Sequence, residues 1–420
     1  MDVYKFGGAS LNSNTRIKNT GEIIKNAAGT KLLIIVSAIG KTTNKLETVV
    51  SAFTDGRQEE ALTIFEEIKK DHLEILKSLT NKQWSKGEIR LKEFFTEIEW
   101  LLHDKPVRSY DYYYDQVVCI GELLSSCILS CYLEEENNNN SWLDVRDIIR
   151  TDNNFRDAAI DWEFTNGKIN ESIVPLFDKS DILITQGFIG STDENESTTL
   201  GREGSDFTAA IFANLLNARS VTIWKDVEAV MNADPKQFDD AVNIYALNYL
   251  EVIEMAYYGA QVIHPKTIKP LQNKNIPLYV KSFLQPSLPG TVINNENPRN
   301  IPPVIVLKQN QVLITFSSKD FSFVEDKPVE QLQEIFHKTK IKSNLSQHTA
   351  ISLLCCFDAH EEKIGQLAGE ASLIFDVSIE KDLTLLTVRH YNKEIINRLT
   401  NEKKIVLEQR TLETAQILMK

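Results

Sequence analysis

Short apolar segments that end in glycine-bearing turns recur along the first two thirds of this chain, and they limit its fold more than any other feature. Each apolar segment has the length of a buried strand. Glycine has no Cβ, so the backbone N–H groups of a glycine turn can approach an anion closely. The N-terminus of a helix that follows the turn adds partial positive charge. We therefore expect the carboxyl ends of these strands to form one anion-binding edge. The turns lie at residues 7–8, 37–44, 186–188 and 201–206.

Segments with helical periodicity separate the predicted strands. Apolar residues recur at helical spacing over residues 58–79 and 88–102, and residues 117–133 are apolar nearly all round, which is typical of a buried helix. Strands that alternate with helices over residues 1–283 predict an α/β layered domain with a mainly parallel sheet. The expected strands lie at 3–6, 32–36, 142–146, 182–190, 221–226 and 277–281, and a further helix is expected at 248–259.

The pattern changes after residue 283. Residues 284–303 are rich in proline, asparagine and glycine and are interpreted as a linker. Residues 304–420 alternate short strands with short helices, which suits two small ferredoxin-like α+β modules. No catalytic cluster is evident there, which favours a sensing or assembly role. The expected strands are 304–308, 311–317, 350–357, 373–379, 383–389 and 404–409, and the expected helices are 328–338, 360–369 and 392–400.

The charge balance and the cysteines narrow the class of protein. The chain has 46 lysine and arginine residues against 59 aspartate and glutamate residues, a net charge of −13. Such an acidic protein is a poor candidate for binding nucleic acid or an anionic membrane. We expect no membrane span, no signal peptide and a cytoplasmic location. The five cysteines are interpreted as reduced core residues, since most lie in apolar stretches and none forms a metal-type Cys-x-x-Cys pair.

A few charged residues occupy positions where an isolated charge is costly. Lys5 lies in the first predicted strand, and Glu122 lies inside the apolar segment 117–133. A carboxylate there must meet a cation or reach solvent. Ser205 or Asp206 fits an N-cap of the helix that follows, but a capping role leaves Arg202 and the neighbouring glycines unexplained.

Several motifs, taken together, resemble those of the aspartate kinases in the amino-acid kinase family. The resemblance covers residues 1–283 and implies a three-layer kinase domain with a mainly parallel central sheet. Residues 304–420 resemble, more weakly, the paired ACT modules that follow this domain in the family. The motifs are Lys5-Phe6-Gly7-Gly8-Ala9-Ser10, Ile-Thr-Gln-Gly-Phe-Ile-Gly from Ile184, Thr-Leu-Gly-Arg-Glu-Gly-Ser-Asp from Thr199, Gly121-Glu122 and Trp224-Lys225-Asp226.

The resemblance implies ATP as the phosphoryl donor, Mg²⁺ held mainly by the ATP phosphates rather than by the protein, and L-aspartate as the acceptor. Lys5 and Asp206 are the implied catalytic residues: Lys5 neutralises the transferring phosphoryl group, and Asp206 orients Lys5 or the metal-bound phosphates. The implied ATP-binding residues are Lys5, Gly7, Gly8, Ser37, Lys225, Asp226, Met231, Lys236 and Gln261. The implied substrate-binding residues are Ser37, Thr43, Glu122, Phe188, Arg202 and Ser205.

The implied reaction makes 4-phospho-L-aspartate, the entry to lysine, threonine and methionine synthesis. Its nucleophile is the β-carboxylate of aspartate, which is ionised at neutral pH because its pKa is near ~4. No general base is required, so the lack of an evident catalytic histidine is expected. Phosphoryl transfer needs positioning and charge neutralisation instead. Arg202 would hold the α-carboxylate of aspartate, and Glu122 its α-ammonium.

The chain departs from the family pattern at three positions in the kinase region. Glu203 stands where the family often has glycine, and we expect its side chain to point to solvent. Gln261 replaces a frequent lysine, which removes one cation from the nucleotide side. Lys236 replaces an arginine and keeps the charge without the planar fork.

The sequence leaves more than one possible effector and more than one possible function. Lysine or threonine is the possible effector, although the family's regulated members carry an acidic residue near the position of Asn344 and a glycine turn near residues 324–328. A homodimer formed through the ACT region is expected. The alternatives are another enzyme of the same fold, acting on a different acid or on UMP, and a non-catalytic amino-acid sensor.

Overall fold

The computed structural model describes residues 1–27, 29–260, 262–320, 323 and 327–420. Two compact units are present. The first comprises the described residues of Met1–Val230, Asn243–Ala256 and Gln261–Pro298, and the second those of Met231–Val242, Tyr257–Ala260 and Arg299–Lys420. Each unit therefore takes its residues from more than one segment, whereas the sequence predicted uninterrupted domains at 1–283 and 304–420.

The strands up to residue 294 are β1 (Asp2–Phe6), β2 (Leu32–Val36), β3 (Ser141–Trp142), β4 (Ile182–Gln186), β5 (Ile189–Ser191), β6 (Ser197–Thr199), β7 (Ser220–Lys225), β8 (Val230–Met231), β9 (Asn243–Ile244), β10 (Ala246–Asn248), β11 (Leu278–Ser282) and β12 (Thr291–Asn294). The α-helices over the same stretch are α1 (Asn14–Asn26), α2 (Thr42–Thr54), α3 (Gln58–Leu79), α4 (Trp84–His103), α5 (Tyr110–Val118), α6 (Ile120–Glu135), α7 (Trp162–Lys168), α8 (Gly204–Leu215), α9 (Tyr249–Tyr258) and α10 (Pro265–Asn273).

An eight-stranded sheet forms the centre of the first unit, in the order β10-β12-β11-β7-β1-β2-β4-β3. Strand β1 pairs in parallel with β2 and β7, and β2 pairs in parallel with β4. The pair β11–β12 is antiparallel. All five residues of β2, Leu-Leu-Ile-Ile-Val, are buried, as expected for a strand covered on both faces. The predicted α/β fold with a mainly parallel central sheet is confirmed.

The apolar segment around Glu122 forms the most buried helix of this unit. In α6 every residue from Ile120 to Leu133 is buried, which explains why its hydrophobic residues do not keep to one face. By length and composition the stretch Tyr110–Glu135 would suit a membrane span, contrary to our reading of the sequence, but 94% of its apolar window is buried inside the protein. That burial is typical of a core helix. All five cysteines are free and buried, as predicted.

A six-stranded antiparallel sheet forms the centre of the second unit, in the order β14-β15-β13-β16-β18-β17. The α+β character predicted for this region is confirmed, with strands from both predicted modules joined in one sheet. Its strands are β13 (Val304–Ser318), β14 (Leu345–His348), β15 (Ser352–Asp358), β16 (Phe375–Arg389), β17 (Ile405–Arg410) and β18 (Thr414–Met419), and its helices are α11 (Lys327–Lys338), α12 (Glu361–Ala371) and α13 (Lys393–Thr400).

Several elements differ from the sequence prediction. The strand expected at 142–146 is only the two residues of β3, and Val145–Asp147 is a 3₁₀ turn in which the Asp144 side chain accepts from the Arg146 N–H. The predicted linker 284–303 contains β12, whose four residues are too short to show a period of their own. Two pairs of predicted strands are continuous, as β13 and β16, because register shifts between Lys308 and Leu313 absorb the polar interruption. Helices α2 and α10 and strands β14 and β18 were not predicted.

Candidate active site

The carboxyl ends of β1, β2 and β4 meet at one edge of the central sheet. Beyond the strands, the Ser37 N–H donates to the Phe6 carbonyl at 3.1 Å and the Gly187 N–H donates to the Val36 carbonyl at 2.9 Å. The turns that follow the three strands are therefore held side by side. The sequence prediction of adjacent turns agrees with this arrangement.

Gly8 allows two of these turns to pack directly against each other. A Cβ atom on Gly8 would lie 2.6 Å from the Ala38 carbonyl oxygen and 2.9 Å from the Gly40 carbonyl oxygen, which are backbone atoms that cannot move aside. The Gly40 N–H donates to the Gly8 carbonyl at 3.1 Å. Any side chain at position 8 would separate the turns after β1 and β2. Gly7 has more room, and its own Cβ would approach only the Lys5 ammonium, at 3.5 Å.

Lys5 and Asp206 form a buried ion pair at this edge. The Lys5 ammonium lies 2.7 Å from Oδ1 of Asp206, and the two side chains are 13% and 5% exposed. Burial alone would raise the pKa of Asp206, but the positive charges of Lys5 and Lys225 outweigh it and hold that pKa below its ordinary value. The pair therefore presents one carboxylate and one ammonium group in a site that excludes most water.

Glu122 is a buried carboxyl group with half of its hydrogen-bonding capacity unused. Its Oε1 accepts from the Ala38 N–H at 3.1 Å, and Oε2 is buried without a hydrogen-bond partner among the described residues. Burial raises the pKa of Glu122 to about 8, although the Ala38 N–H and the charge of Lys5 oppose that shift. Gly121 brings the two segments together, since its Cβ would lie 2.9 Å from that of Ala38. A cationic ligand group would complete this site.

The turn after β4 packs against the start of α8. A Cβ on Gly187 would lie 2.6 Å from that of Ser205, and the Phe188 N–H donates to the Thr208 hydroxyl at 3.0 Å. Phe188 itself has a positive φ of 73°, a backbone conformation that residues other than glycine rarely adopt. Ser205 and Asp206, both buried, occupy the first turn of α8. The helix therefore presents its N-terminal end to the turn after β4.

Arg202 and Glu203 lie just before α8 and differ in their surroundings. Arg202 is exposed, and among the described residues no ion pair holds it. Glu203 has a positive φ of 56°, and its Oε2 accepts from the His264 N–H at 2.9 Å. Our expectation that Glu203 points to solvent is therefore wrong. The positive φ is also the physical reason that glycine suits this position.

The remaining predicted residues are distributed as follows. Half-buried Ser37 and Thr43 lie after β2 and in the first turn of α2, and Lys225 at the end of β7 donates to the Val262 carbonyl at 2.8 Å. Asp226 is exposed. Met231 and Lys236 belong to the second unit. Gln261 lies outside the described residues.

Two buried contributors near this edge were missed by sequence reasoning. One is the Ala38 N–H, which no side-chain pattern reveals. The other is Asp115, which accepts from the N–H and hydroxyl of Thr199, at 2.8 and 2.7 Å, and from the Arg156 N–H at 3.0 Å. Burial raises the pKa of Asp115 to about 6. Its three donors fix the segment that leads into residues 201–206, so we assign it a positioning role. The sequence signal that could have revealed Asp115 is an acidic residue within an aromatic run.

The residues at this edge suit Mg²⁺ carried on phosphates. No cluster of three or more histidine, cysteine or acidic residues that could hold a metal occurs in the described part of the chain. Mg²⁺ usually takes one or two protein carboxylates and fills its remaining positions with phosphate oxygens and water. Asp206, whose pKa is lowered, supplies one charged carboxylate of this kind.

Comparisons with known proteins agree on one family. The model of the amino acid kinase family matches residues 2–282. Lysine-sensitive aspartokinase 3 of Escherichia coli is 32% identical over 322 residues, which cover 75% of this chain and 69% of that protein. Bifunctional aspartokinase/homoserine dehydrogenase 1 of Zea mays is 32% identical over 296 residues, which cover 69% of this chain but only 32% of that protein.

Solved structures show the same relationship over the whole chain. E. coli aspartokinase III in complex with aspartate and ADP, in the R-state, has a TM-score of 0.82 at 26% identity and covers 100% of this chain and 96% of that one. The same enzyme in complex with lysine and aspartate, in the T-state, has a TM-score of 0.81 and covers 95% of that chain.

Proposed function

Because this chain belongs to the amino acid kinase family, we propose that it is an aspartate kinase, which transfers the γ-phosphoryl group of ATP to the β-carboxylate of L-aspartate. The observation that carries the proposal is the pairing of two features at one sheet edge. One is the buried Lys5–Asp206 ion pair, and the other is the unpartnered Oε2 of Glu122. The first suits a phosphoryl group, and the second suits an amino acid.

The reaction moves one phosphoryl group between two anions. An oxygen of the β-carboxylate forms a bond to the γ-phosphorus, and the bond from that phosphorus to the β,γ-bridging oxygen breaks, so that ADP leaves. Both reactants are negative, and their repulsion must be offset. Lys5 supplies a charge in a water-poor site, where electrostatic stabilisation is strongest. Asp206 keeps the Lys5 ammonium in place, and Gly7 and Gly8 provide backbone close to the phosphates.

Selection of an amino acid is assigned to Glu122 and Arg202. The α-ammonium of aspartate would take the free Oε2 of Glu122 as its partner, and this contact favours the ionised form of a carboxyl group whose pKa is otherwise raised to about 8. Exposed Arg202 has its guanidinium available for the α-carboxylate. Ser37, Thr43, Phe188 and Ser205 complete the proposed substrate side.

Mg²⁺, when bound with ATP, would neutralise phosphate charge during the transfer. Asp206 is the protein carboxylate best placed to approach it. Lys225, Asp226, Met231, Lys236 and Gln261 remain the proposed nucleotide-side residues.

The likeness to aspartokinase III supports a proposal about regulation. We propose lysine as the effector, because the T-state structure of that enzyme contains lysine, with threonine as the second candidate. A homodimer through the second unit and a cytoplasmic location are proposed with it. The kinase rate with and without each amino acid, together with the mass of the protein in solution, tests these proposals.

The test of the activity is a substrate panel. Purified protein is incubated with Mg-ATP, hydroxylamine and one acceptor at a time: L-aspartate, L-glutamate, N-acetyl-L-aspartate or UMP. We expect a hydroxamate with aspartate, and little with N-acetyl-aspartate because it lacks the ammonium that pairs with Glu122. Hydroxamate formation from glutamate in preference to aspartate, or ADP release with UMP alone, would refute the proposal.

A further inference from the structure

The second unit contains a small pocket that collects lysine side chains. Its volume is about 260 Å³, and it is lined by residues from the end of α9, from β13, from the segment after α11 and from the start of α12. Four of its lining residues are lysines: Lys308, Lys340, Lys342 and Lys363. His360 and one carboxylate, Asp358, also line it. Four cations against one anion is an unusual local balance in a chain whose net charge is −13.

These four lysines have no carboxylate partner among the described residues, whereas many lysines elsewhere in the chain form ion pairs. The Lys308 ammonium donates to the neutral Oδ1 of Asn344 at 2.8 Å, and the Lys363 ammonium donates to the Lys340 carbonyl at 3.1 Å. Lys342 lies 4.8 Å from the centre of the Tyr257 ring. The ammonium groups of Lys308, Lys342 and Lys363 therefore have neutral partners. Among the described residues no direct ion pair neutralises any of the four lysines.

Lys308 is the anchor of the pocket. Burial lowers its pKa, and the charge of Lys342 lowers it further, against the opposing effect of Asp358. Its aliphatic stem runs against Gly259, where a Cβ would lie 2.6 Å from the Lys308 Cε. Gly259 also has a positive φ of 107°. Backbone conformation and the absence of a side chain at Gly259 therefore admit a half-buried cation that forms no direct ion pair among the described residues.

The lone carboxylate does not balance this charge. Oδ1 of Asp358 accepts from Gln311 at 2.9 Å and from Asn344 at 3.0 Å. The Asn344 amide thus connects Asp358 to Lys308 and keeps both side chains in position. The N-cap residue of α12, His360, makes no side-chain capping hydrogen bond, but Glu361 and Glu362 in the first turn of that helix oppose its positive end. The positive charge of the pocket therefore rests on the lysines.

We propose that this pocket binds a small multivalent anion, with phosphate or carboxylate groups, through Lys308, Lys340, Lys342 and Lys363. An amino acid fits poorly, because its ammonium would face four cations and find only a carboxylate that already accepts two hydrogen bonds. A nucleotide is also a poor fit, since the volume is below the ~300–1,000 Å³ typical of pockets for drug-sized ligands. Compact polyanions match both the charge and the size.

The test is calorimetric titration of the full chain with two probes, pyrophosphate and citrate. Pyrophosphate tests for a ligand with phosphate groups, and citrate tests for a ligand with carboxylate groups. We expect saturable binding of at least one probe, at one site per chain, which weakens as ionic strength rises. The double variant Lys342→Gln/Lys363→Gln should weaken binding by about tenfold, because it removes two exposed charges at ~0.5–1 kcal/mol each. Both positions are exposed, so the fold should persist.

A matched double variant, Lys393→Gln/Lys403→Gln, removes the same charge from exposed positions of the same unit outside the pocket lining. Its affinity should equal that of the unaltered chain. Equal weakening in both double variants would show general charge attraction and overturn the proposal. So would the absence of binding of either probe, or binding that the pocket variant leaves unchanged. None of these outcomes depends on the kinase activity.

Discussion

Replacing Glu122 by glutamine should change how the stability of the first unit depends on pH. The folded-state pKa of Glu122 is about 8, above its ordinary value of 4.5. Below pH 4.5 the carboxyl group is protonated in both the folded and the unfolded state, and its contribution to stability is fully present. As pH rises from 4.5 to the folded pKa, the unfolded chain loses the proton while the folded protein keeps it, so the free energy of unfolding falls. Glutamine keeps the shape and the acceptor for the Ala38 N–H but does not titrate.

The size of this pH effect follows from the difference between the folded and the ordinary pKa of Glu122, 8 − 4.5 = 3.5. At about 1.36 kcal/mol per unit, the full cost of ionising Glu122 in the folded state is about 5 kcal/mol. Between pH 5 and pH 8 the unfolding free energy of the Glu122→Gln variant should rise relative to the unaltered protein by about 3.5 kcal/mol. Other titrating groups, such as Asp115, are common to both proteins and cancel in the difference.

Urea unfolding followed by tryptophan fluorescence measures this difference. All five tryptophans lie within the first unit, so their signal reports that unit and not the second. The experiment is performed without ligands, because an ammonium ligand would favour the ionised carboxylate. A difference between the two proteins that stays constant within about 1 kcal/mol from pH 5 to pH 8 would contradict the buried, unpartnered environment derived for Glu122.

Substitutions at four further positions, two of them with a comparison variant, test the site. Lys5→Met should lower kcat by about a hundredfold or more, because it removes a charge from a buried electrostatic site, while circular dichroism should show an intact fold. Arg202→Ala should raise the KM for aspartate about tenfold or more through the loss of a charge-assisted hydrogen bond, with the melting temperature unchanged since Arg202 is exposed. Gly8→Ala should cost about 1–3 kcal/mol of stability in denaturant titration, because its Cβ would meet two backbone carbonyls. The control is Gly167→Ala, at a position without positive φ where an added Cβ meets no atom within 4 Å, and it should show no such loss. Glu203→Ala should cost about 1 kcal/mol, since the His264 N–H loses its acceptor, whereas Glu203→Gln should retain most of that stability, and equal losses in both would refute this role.

Much of the first unit could be predicted from its sequence because its strands are buried on both faces. Leu32–Val36 and Gln58–Leu79 were predicted with the bounds that the structure shows. Continuous apolar runs and helical periodicity are direct consequences of burial, and they need no knowledge of distant partners. Element α2 was missed because its sequence, Thr-Thr-Asn-Lys at the start, carries the polar composition of a turn.

Short strands were not predicted, because they depend on pairing with distant strands and not on a local pattern of apolar residues. Strand β12 has four residues and depends on pairing with β10 and β11, so tertiary context and not local pattern creates it. The same holds for β18, which pairs with β16 and β17. In β13 and β16, polar residues mark register shifts within long strands, and in sequence they resemble turns.

At the candidate site, residue types were easier to predict than contacts. Glu122 was chosen because a carboxylate in an apolar segment demands a partner, whereas the roles of Lys5 and Asp206 were implied by the family resemblance. The structure pairs Lys5 with Asp206. Sequence could not show that Glu122 takes a backbone N–H and keeps one oxygen free. Nor could it show that Glu203 turns toward His264, since that contact joins residues far apart in the chain.

The most direct test of the proposed reaction follows one oxygen atom. L-Aspartate with oxygen-18 in its β-carboxylate is incubated with the protein, Mg-ATP and hydroxylamine, and the released phosphate is analysed by mass spectrometry. If the β-carboxylate attacks the γ-phosphorus, its oxygen remains on phosphorus when hydroxylamine cleaves the acyl phosphate, and the phosphate contains one oxygen-18 atom. Aspartate-dependent formation of this labelled phosphate, absent in Lys5→Met, is the predicted result. Phosphate without the label would mean that water attacks ATP, and it would contradict the account.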